Sequence, residues 1–148
     1  METRSPALRR FNSLLKETDK VYHEAALALG LSDSAMWVLY ALWEGEGSLP
    51  LRELCRTCGL TKQTVNSALR KLEEAGALSL EPMSHREKRV GLTTAGMALA
   101  ARTAGRVMAA ENAVYDRWDP EDVGKYLELT ERYMRQLREE LRKELKHE

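Results

Sequence analysis

"LCRTCGLTKQTVNSALRKL", Leu54 to Leu72, opens on two cysteines in a Cys-x-x-Cys spacing and continues as a turn and an amphipathic segment. The cysteines have a spacing used by metal sites and redox pairs. The residues after Gly59 have another character. On a helical wheel with Val65 at the origin, Thr61, Ala68, Leu69 and Leu72 fall within about 60° of it and form one apolar face. The opposite face carries Gln63, Asn66, Ser67 and Arg70, with Lys71 at its edge. An ordinary solvated face would be built from Glu and Lys, the better helix formers. Gln, Thr, Asn and Ser crowded into two turns run against propensity. They are the groups that meet base edges: Gln and Asn pair with adenine, Arg with guanine. Thr61 and Lys62 sit at the positive end of the helix dipole, where phosphate binds, and Thr64 follows them. With a Gly-Leu turn joining a short helix to this one, the stretch reads as a helix-turn-helix whose second helix enters a major groove.

Beyond this helix, Leu78-Ser79-Leu80 and Arg89-Val90-Gly91-Leu92 alternate like short strands and flank the loop Glu81–Lys88, which contains Pro82. Arg86, Lys88 and Arg89 cluster there as in a wing. A basic hairpin tip beside a reading helix reaches the neighbouring minor groove, whose negative potential attracts Arg. The plainer alternative is a solvated charged turn.

Four helix starts share one grammar: an apolar residue, a capping side chain, then an apolar residue five positions after the first. They are Leu31-Ser32…Met36, Leu60-Thr61…Val65, Leu92-Thr93…Met97 and Trp118-Asp119…Val123. The last adds Pro120 at the first helical position and Glu121 and Asp122 in the first turn. The expected elements are helices over about Ser5–Leu29, Ser32–Trp43, Pro50–Cys58 and Thr61–Ala75, the hairpin, an Ala-rich helix Ala95–Trp118, and a final helix. Glu44–Gly47 is a loop, and Gly59 and Gly76 stop the helices before them.

The outermost helices carry heptad-like stripes. Leu8, Phe11, Leu15, Thr18, Tyr22, Ala25 and Leu29 recur at steps of three and four, as do Val123, Leu127, Thr130, Met134, Leu137 and Leu141. Packing within one subunit is one account. A subunit interface is the favoured one, because a small central domain offers two long terminal helices little surface.

Composition fits such a protein. The chain has 148 residues, 31% charged and 43% hydrophobic, and needs no disulfide or metal to fold. Net charge is zero, but residues 52–93 carry 8 basic and 5 acidic side chains, and only this middle third is positive. The longest apolar run, Ala35–Trp43, is half a membrane span at most. Met1–Phe11 lacks the apolar segment of a secretory signal. The expectation is a cytoplasmic protein without membrane contact, whose thiols stay reduced.

Cys55 and Cys58 fall where a short helix needs small apolar packing. Zinc needs about four ligands, and no second cysteine pair exists. His23, His85 and His147 have no ligand spacing, and His23 suits a polar interface position. Thiol sensing by Cys55 and Cys58 stays open as a minor alternative. Tyr22, Trp37 and Tyr40, with Trp43 and Trp118, are core residues or the lining of an effector pocket. No nucleophile elbow, phosphate-binding glycine loop or zinc-protease motif is present, so no enzyme activity and no cofactor are expected.

The residues then carry a resemblance. "LPLRELCRTCGLTKQTVNSALRKLEEAGALSLEPMSHREKRVGLTTAG", Leu49 to Gly96, resembles the winged helix-turn-helix of multiple-antibiotic-resistance-type (MarR) regulators. The specific parts are Gly59-Leu60-Thr61, "TVNSALRKLEEAG", Arg86 in the wing and Leu92-Thr93 closing the hairpin. The similarity extends through "YHEAALALGLSDSAMWVLYAL" and into the terminal helices. It implies a homodimeric transcription regulator that binds pseudo-palindromic double-stranded DNA and often releases it on binding a small molecule. The family's wing usually reads Asp-x-Arg where this chain has Ser84-His85-Arg86, and often has Arg where Ser67 stands. Its thiol sensors typically use a cysteine in the first helix, which this chain lacks.

The expected fold is therefore mostly α with a small β-hairpin. Residues 1–31 form a dimerisation helix, 32–100 a winged helix-turn-helix lobe, and 101–148 the C-terminal dimerisation helices. The expected function is a sequence-specific regulator, as a repressor. The competing expectations are a thiol-redox or metal-responsive protein using Cys55 and Cys58, and an interaction module that keeps the fold without binding DNA.

Overall fold

The computed structural model describes residues 1–146; His147 and Glu148 lie outside the described residues. The elements run α1 (Pro6–Ala28), α2 (Asp33–Glu44), β1 (Ser48–Pro50), α3 (Leu51–Cys58), α4 (Lys62–Glu74), β2 (Leu78–Pro82), β3 (Lys88–Leu92), α5 (Thr94–Arg102), α6 (Ala104–Arg117) and α7 (Pro120–Leu145). Met1–Met108 form one compact unit and the described residues from Ala109 onward a second.

Three of the four expected caps are made. The hydroxyls of Ser32, Thr61 and Thr93 accept the backbone N–H groups of Ala35, Thr64 and Gly96. Each satisfies one orphan donor of a first turn. At Asp119 the side chain makes no such bond, and α7 starts on Pro120 with only the Asp119 carbonyl accepting from Val123. Proline already supplies the helical φ there and has no N–H to satisfy.

The core of the first unit lies under α4. Val65, Ala68, Leu69 and Leu72, one face at helical spacing, are buried with Val38, Leu39 and Leu42 of α2, Leu54 of α3 and Val90 of β3. Thr61 is not part of that face: it stands exposed at the N-cap, its hydroxyl 2.8 Å from that of Thr64. A smaller cluster joins Ala26 of α1, Met36 of α2 and Val107 of α6.

The sheet has three strands, ordered β1-β3-β2 and antiparallel throughout, where a two-stranded hairpin was expected. Ser48–Pro50 pairs with Arg89–Gly91 as an edge strand. It is three residues long and ends in proline, which an edge tolerates, so it leaves no alternating pattern to read. β2 and β3 are also longer than expected, taking in Pro82 and Lys88.

The Ala-rich segment is two helices, not one. Thr103, at φ −122° and ψ −92°, ends α5. Its hydroxyl donates back to the Leu99 carbonyl at 2.7 Å, and its own carbonyl accepts from Arg106 and Val107 at the start of α6. A side chain that competes for a backbone acceptor in this way bends helices.

α1 leaves Leu8, Phe11 and Leu15 exposed, and α7 buries none of its described residues. Thr18 and Thr130, the polar members of the two stripes, donate to the carbonyls of Leu14 and Tyr126, which lets each sit in an apolar row. No single helix among the described residues is long and apolar enough to cross a membrane.

Candidate nucleic-acid interface

The turn between α3 and α4 is set by one glycine. Gly59 ends α3 in the left-handed region at φ 65°, and Thr61 then caps α4. Because the apolar face of α4 is sunk in the core, Lys62, Gln63, Thr64, Ser67, Arg70 and Lys71 are exposed, and Asn66 is half-buried.

Across from α4 stands the wing. A short 3₁₀ turn, Ser84–Arg86, closes it, with His85 and Arg86 both at positive φ (61° and 66°). Two consecutive non-glycine residues in that region are strained. The backbone of Glu87 holds the turn: its carbonyl accepts from Met83 N–H at 2.6 Å and its N–H donates to the Ser84 carbonyl. Its carboxylate lies 3.6 Å from the guanidinium of Arg52 on α3.

Between α3, α4 and the wing runs a groove of ≈ 690 Å³. Lys62, Asn66 and Arg70 from α4 share it with Arg86 and Lys88 from the wing. The structure thus brings five of the expected residues together. Gln63, Ser67 and Lys71 lie on the exposed side of α4 without lining the groove. Arg89 is separate: its Nε donates to Ser48 Oγ at 3.1 Å, which holds it against the β1 edge. Sequence reasoning missed Arg52 and Glu87. The signal was there for Arg52, since Leu51, Leu54, Cys55 and Cys58 take the inner side of α3 and leave Arg52, Glu53 and Arg56 outside.

The cysteines are free and half-buried, both packed on the core. Cys58 Sγ donates to the Trp37 carbonyl at 3.6 Å. Burial, with the neighbouring Cys55 adding to it, pushes the Cys58 thiol up to about 11. Among the described residues no group of three His, Cys, Asp or Glu side chains could hold a metal ion.

Of the aromatics, Tyr22, Trp37 and Tyr40 come together, with ring centroids 5.1 and 5.5 Å apart along the row. Trp43 packs elsewhere, close enough to Gly105 that an added Cβ would lie 3.2 Å from its ring. Trp118 stacks edge-on between Tyr115 and Tyr126. His23 Nδ1 lies 2.9 Å from the Asp33 carboxylate, linking the end of α1 to the start of α2.

Residues 29–87 match the sequence profile of the MarR family. The chain is also 40% identical over 96 residues to the HTH-type transcriptional repressor Rv2887 of Mycobacterium tuberculosis, a match spanning 63% of this chain and 68% of that protein. This chain belongs to the MarR family.

Solved MarR structures share its fold. NMB1585, a MarR family regulator from Neisseria meningitidis, superposes with a TM-score of 0.80 at 18% identity, over 95% of this chain and 99% of the other. Sco3205, a MarR family transcriptional regulator from Streptomyces coelicolor solved in complex with DNA, gives 0.68 at 22% identity over 88% of each chain. As a MarR winged helix-turn-helix, the chain has a wing with one peculiarity: the carboxylate of its tip follows Arg86 rather than preceding it, and faces α3.

Proposed function

We propose that this protein is a homodimeric, sequence-specific DNA-binding repressor of the cytoplasm. Each subunit sets α4 into a major groove and Arg86 into the adjoining minor groove of a pseudo-palindromic operator. The observation that carries this is the groove in which Lys62, Asn66 and Arg70 of α4 meet Arg86 and Lys88 of the wing. Two elements remote in sequence present cations and amides to one ligand, and that ligand is polyanionic and edged with hydrogen-bonding groups. Gln63, Thr64, Ser67 and Lys71 extend the contact along α4, Thr61 serves phosphate at its cap, and Arg89 meets the backbone from the wing's β1 side.

The terminal helices form the dimer. Supporting this, Leu8, Phe11 and Leu15 on α1 and Leu127, Met134, Leu137 and Leu141 on α7 are all exposed in the single chain. Rows of this size ordinarily mark an interface. Residues 1–31 and 101–148 would then be the dimerisation parts and 32–100 the DNA-binding lobe.

The tilted, edge-to-face cluster of Tyr22, Trp37 and Tyr40 favours a second element, release of DNA by a flat small-molecule effector that inserts among these rings.

Selection of bound duplexes from a random pool tests the function. A regulator enriches a pseudo-palindrome with half-sites about one helical turn apart. No enrichment and no salt-dependent binding would instead favour an interaction module. Repeating the selection with peroxide-treated protein tests thiol control, which predicts that enrichment is lost.

A further inference from the structure

We infer that Arg52 and Glu87 form a positioning pair that presets the wing relative to α4, so that Arg86 is aimed before DNA arrives. The inference rests on the DNA-binding reading of this surface and concerns how the surface is held.

Every residue from Glu81 to Arg89 is exposed, so no buried side chain fixes the wing tip. The contacts that fix it converge on one residue. The Glu87 carbonyl accepts from Met83, its N–H donates to Ser84, and its carboxylate reaches Arg52 on α3 across 3.6 Å. The two residues between those bonds, His85 and Arg86, hold positive φ without being glycine. Such a turn relaxes unless its surroundings over-determine it. Arg86 immediately precedes Glu87, so the direction of its side chain depends on where Glu87 is anchored. The far end of the anchor is sound: α3 is fixed through Leu54, which is fully buried.

Charge separates positioning from plain electrostatics. Glu87 and Glu73 are the carboxylates of a groove that also holds Arg52, Lys62, Arg70, Arg86 and Lys88. Toward a polyanion, a carboxylate in that position is repulsive, and simple electrostatics predicts that removing it tightens binding. A positioning role predicts the reverse. Both side chains of the pair are solvent-exposed, so its effect is modest.

The test is DNA affinity of the full-length protein by fluorescence anisotropy, with Glu87→Gln, Arg52→Gln, their double variant, Arg86→Ala alone and combined with Glu87→Gln, and Arg70→Ala as a reference. Glu87→Gln is expected to weaken binding about twofold to fivefold although it removes a negative charge, with the melting temperature unchanged. In the Glu87→Gln background, Arg52→Gln is expected to add less than it does alone, and Arg86→Ala to lose part of its effect. Equal or tighter binding by Glu87→Gln, or strict additivity of the two Gln substitutions, overturns the inference. If Arg70→Ala also binds like the parent, the reading surface itself is misassigned; if Arg70→Ala is weakened while Glu87→Gln is not, only the anchor falls.

Discussion

The thiol of Cys58 donates to the main-chain carbonyl of Trp37, tying the first helix of the helix-turn-helix to the core helix α2. A thiol in that contact works as a small apolar group with one weak donor, not as a nucleophile. Burial, and then Cys55, raises it from 9.0 to about 11. At pH 8 its thiolate fraction is on the order of a hundredfold below that of an ordinary thiol. Iodoacetamide followed by mass spectrometry is expected to label Cys55, which lines the groove, well before Cys58. The pH dependence has a definite sign. Because the folded state holds the proton more tightly, this contribution is complete below pH 9 and is lost as pH rises toward 11. Urea midpoints at pH 8 and pH 10.5 are expected to differ less in Cys58→Ala than in the parent. Equal labelling of both cysteines at pH 8 would contradict a half-buried, protonated Cys58 and restore the pair as a redox candidate.

On α4, the proposed DNA contact gives the two groove cations, Arg70 and Lys62, different roles. Arg70 is exposed two turns in, where it can meet a base edge, and Lys62 sits at the N-terminus, where it can meet phosphate. Arg70→Ala is expected to cost about 1–3 kcal/mol of binding and to relax preference at one base position. Lys62→Ala is expected to weaken all duplexes alike and to lower the slope of log affinity against log salt by about one. Titrations of the selected operator and of scrambled DNA at two salt concentrations separate the effects. Parent-like binding by both variants would mean that another face of the lobe contacts DNA.

α5 and the turn after α4 are joined by a contact that only glycine permits. A Cβ on Gly96 would lie 1.7 Å from the Ala77 carbonyl oxygen, a backbone atom that cannot swing aside. The same corner is closed by Thr93, whose hydroxyl donates to the Gly76 carbonyl at 2.6 Å while its N–H donates to Ala77. Gly96→Ala therefore requires α5 to move off the turn that succeeds α4. The expected cost is about 1–3 kcal/mol in urea unfolding, or failure to fold. Gly124→Ala, at a helical position with open space around it, is the control and is expected to be neutral or stabilising.

The parts legible in the sequence were those with a local cause. Ser32, Thr61 and Thr93 announce helix starts because a capping hydroxyl must lie beside the N–H groups it satisfies. The face of α4 was legible because burial and helical period coincide at Val65, Ala68, Leu69 and Leu72. β1 was not, since its pairing partner is some forty residues away, at Arg89–Gly91, and three residues show no period. The break at Thr103 was hidden in a run of good helix formers, and only the hydroxyl bonded to Leu99 distinguishes it. Arg52 and Glu87 were invisible as a pair for the same reason as β1: nothing local relates α3 to the wing.

On α7, Leu127, Met134, Leu137 and Leu141 form one row, each more than 40% exposed in the single chain. Exposed rows of that kind on a stable helix are burial surface awaiting a partner, here the second subunit of the proposed dimer. Leu137→Glu replaces a buried apolar side chain at such an interface with a carboxylate. Losing the side chain alone weakens association at least about tenfold, and the uncompensated charge adds to that. Sedimentation velocity across a dilution series is expected to show the parent as a dimer and the variant shifted toward monomer. The consequence for DNA is specific: affinity for the full palindrome falls steeply, whereas affinity for a single half-site changes little, because α4 and the wing are untouched. A parent protein that sediments as a monomer at all concentrations would leave the row without a partner copy and require another occupant.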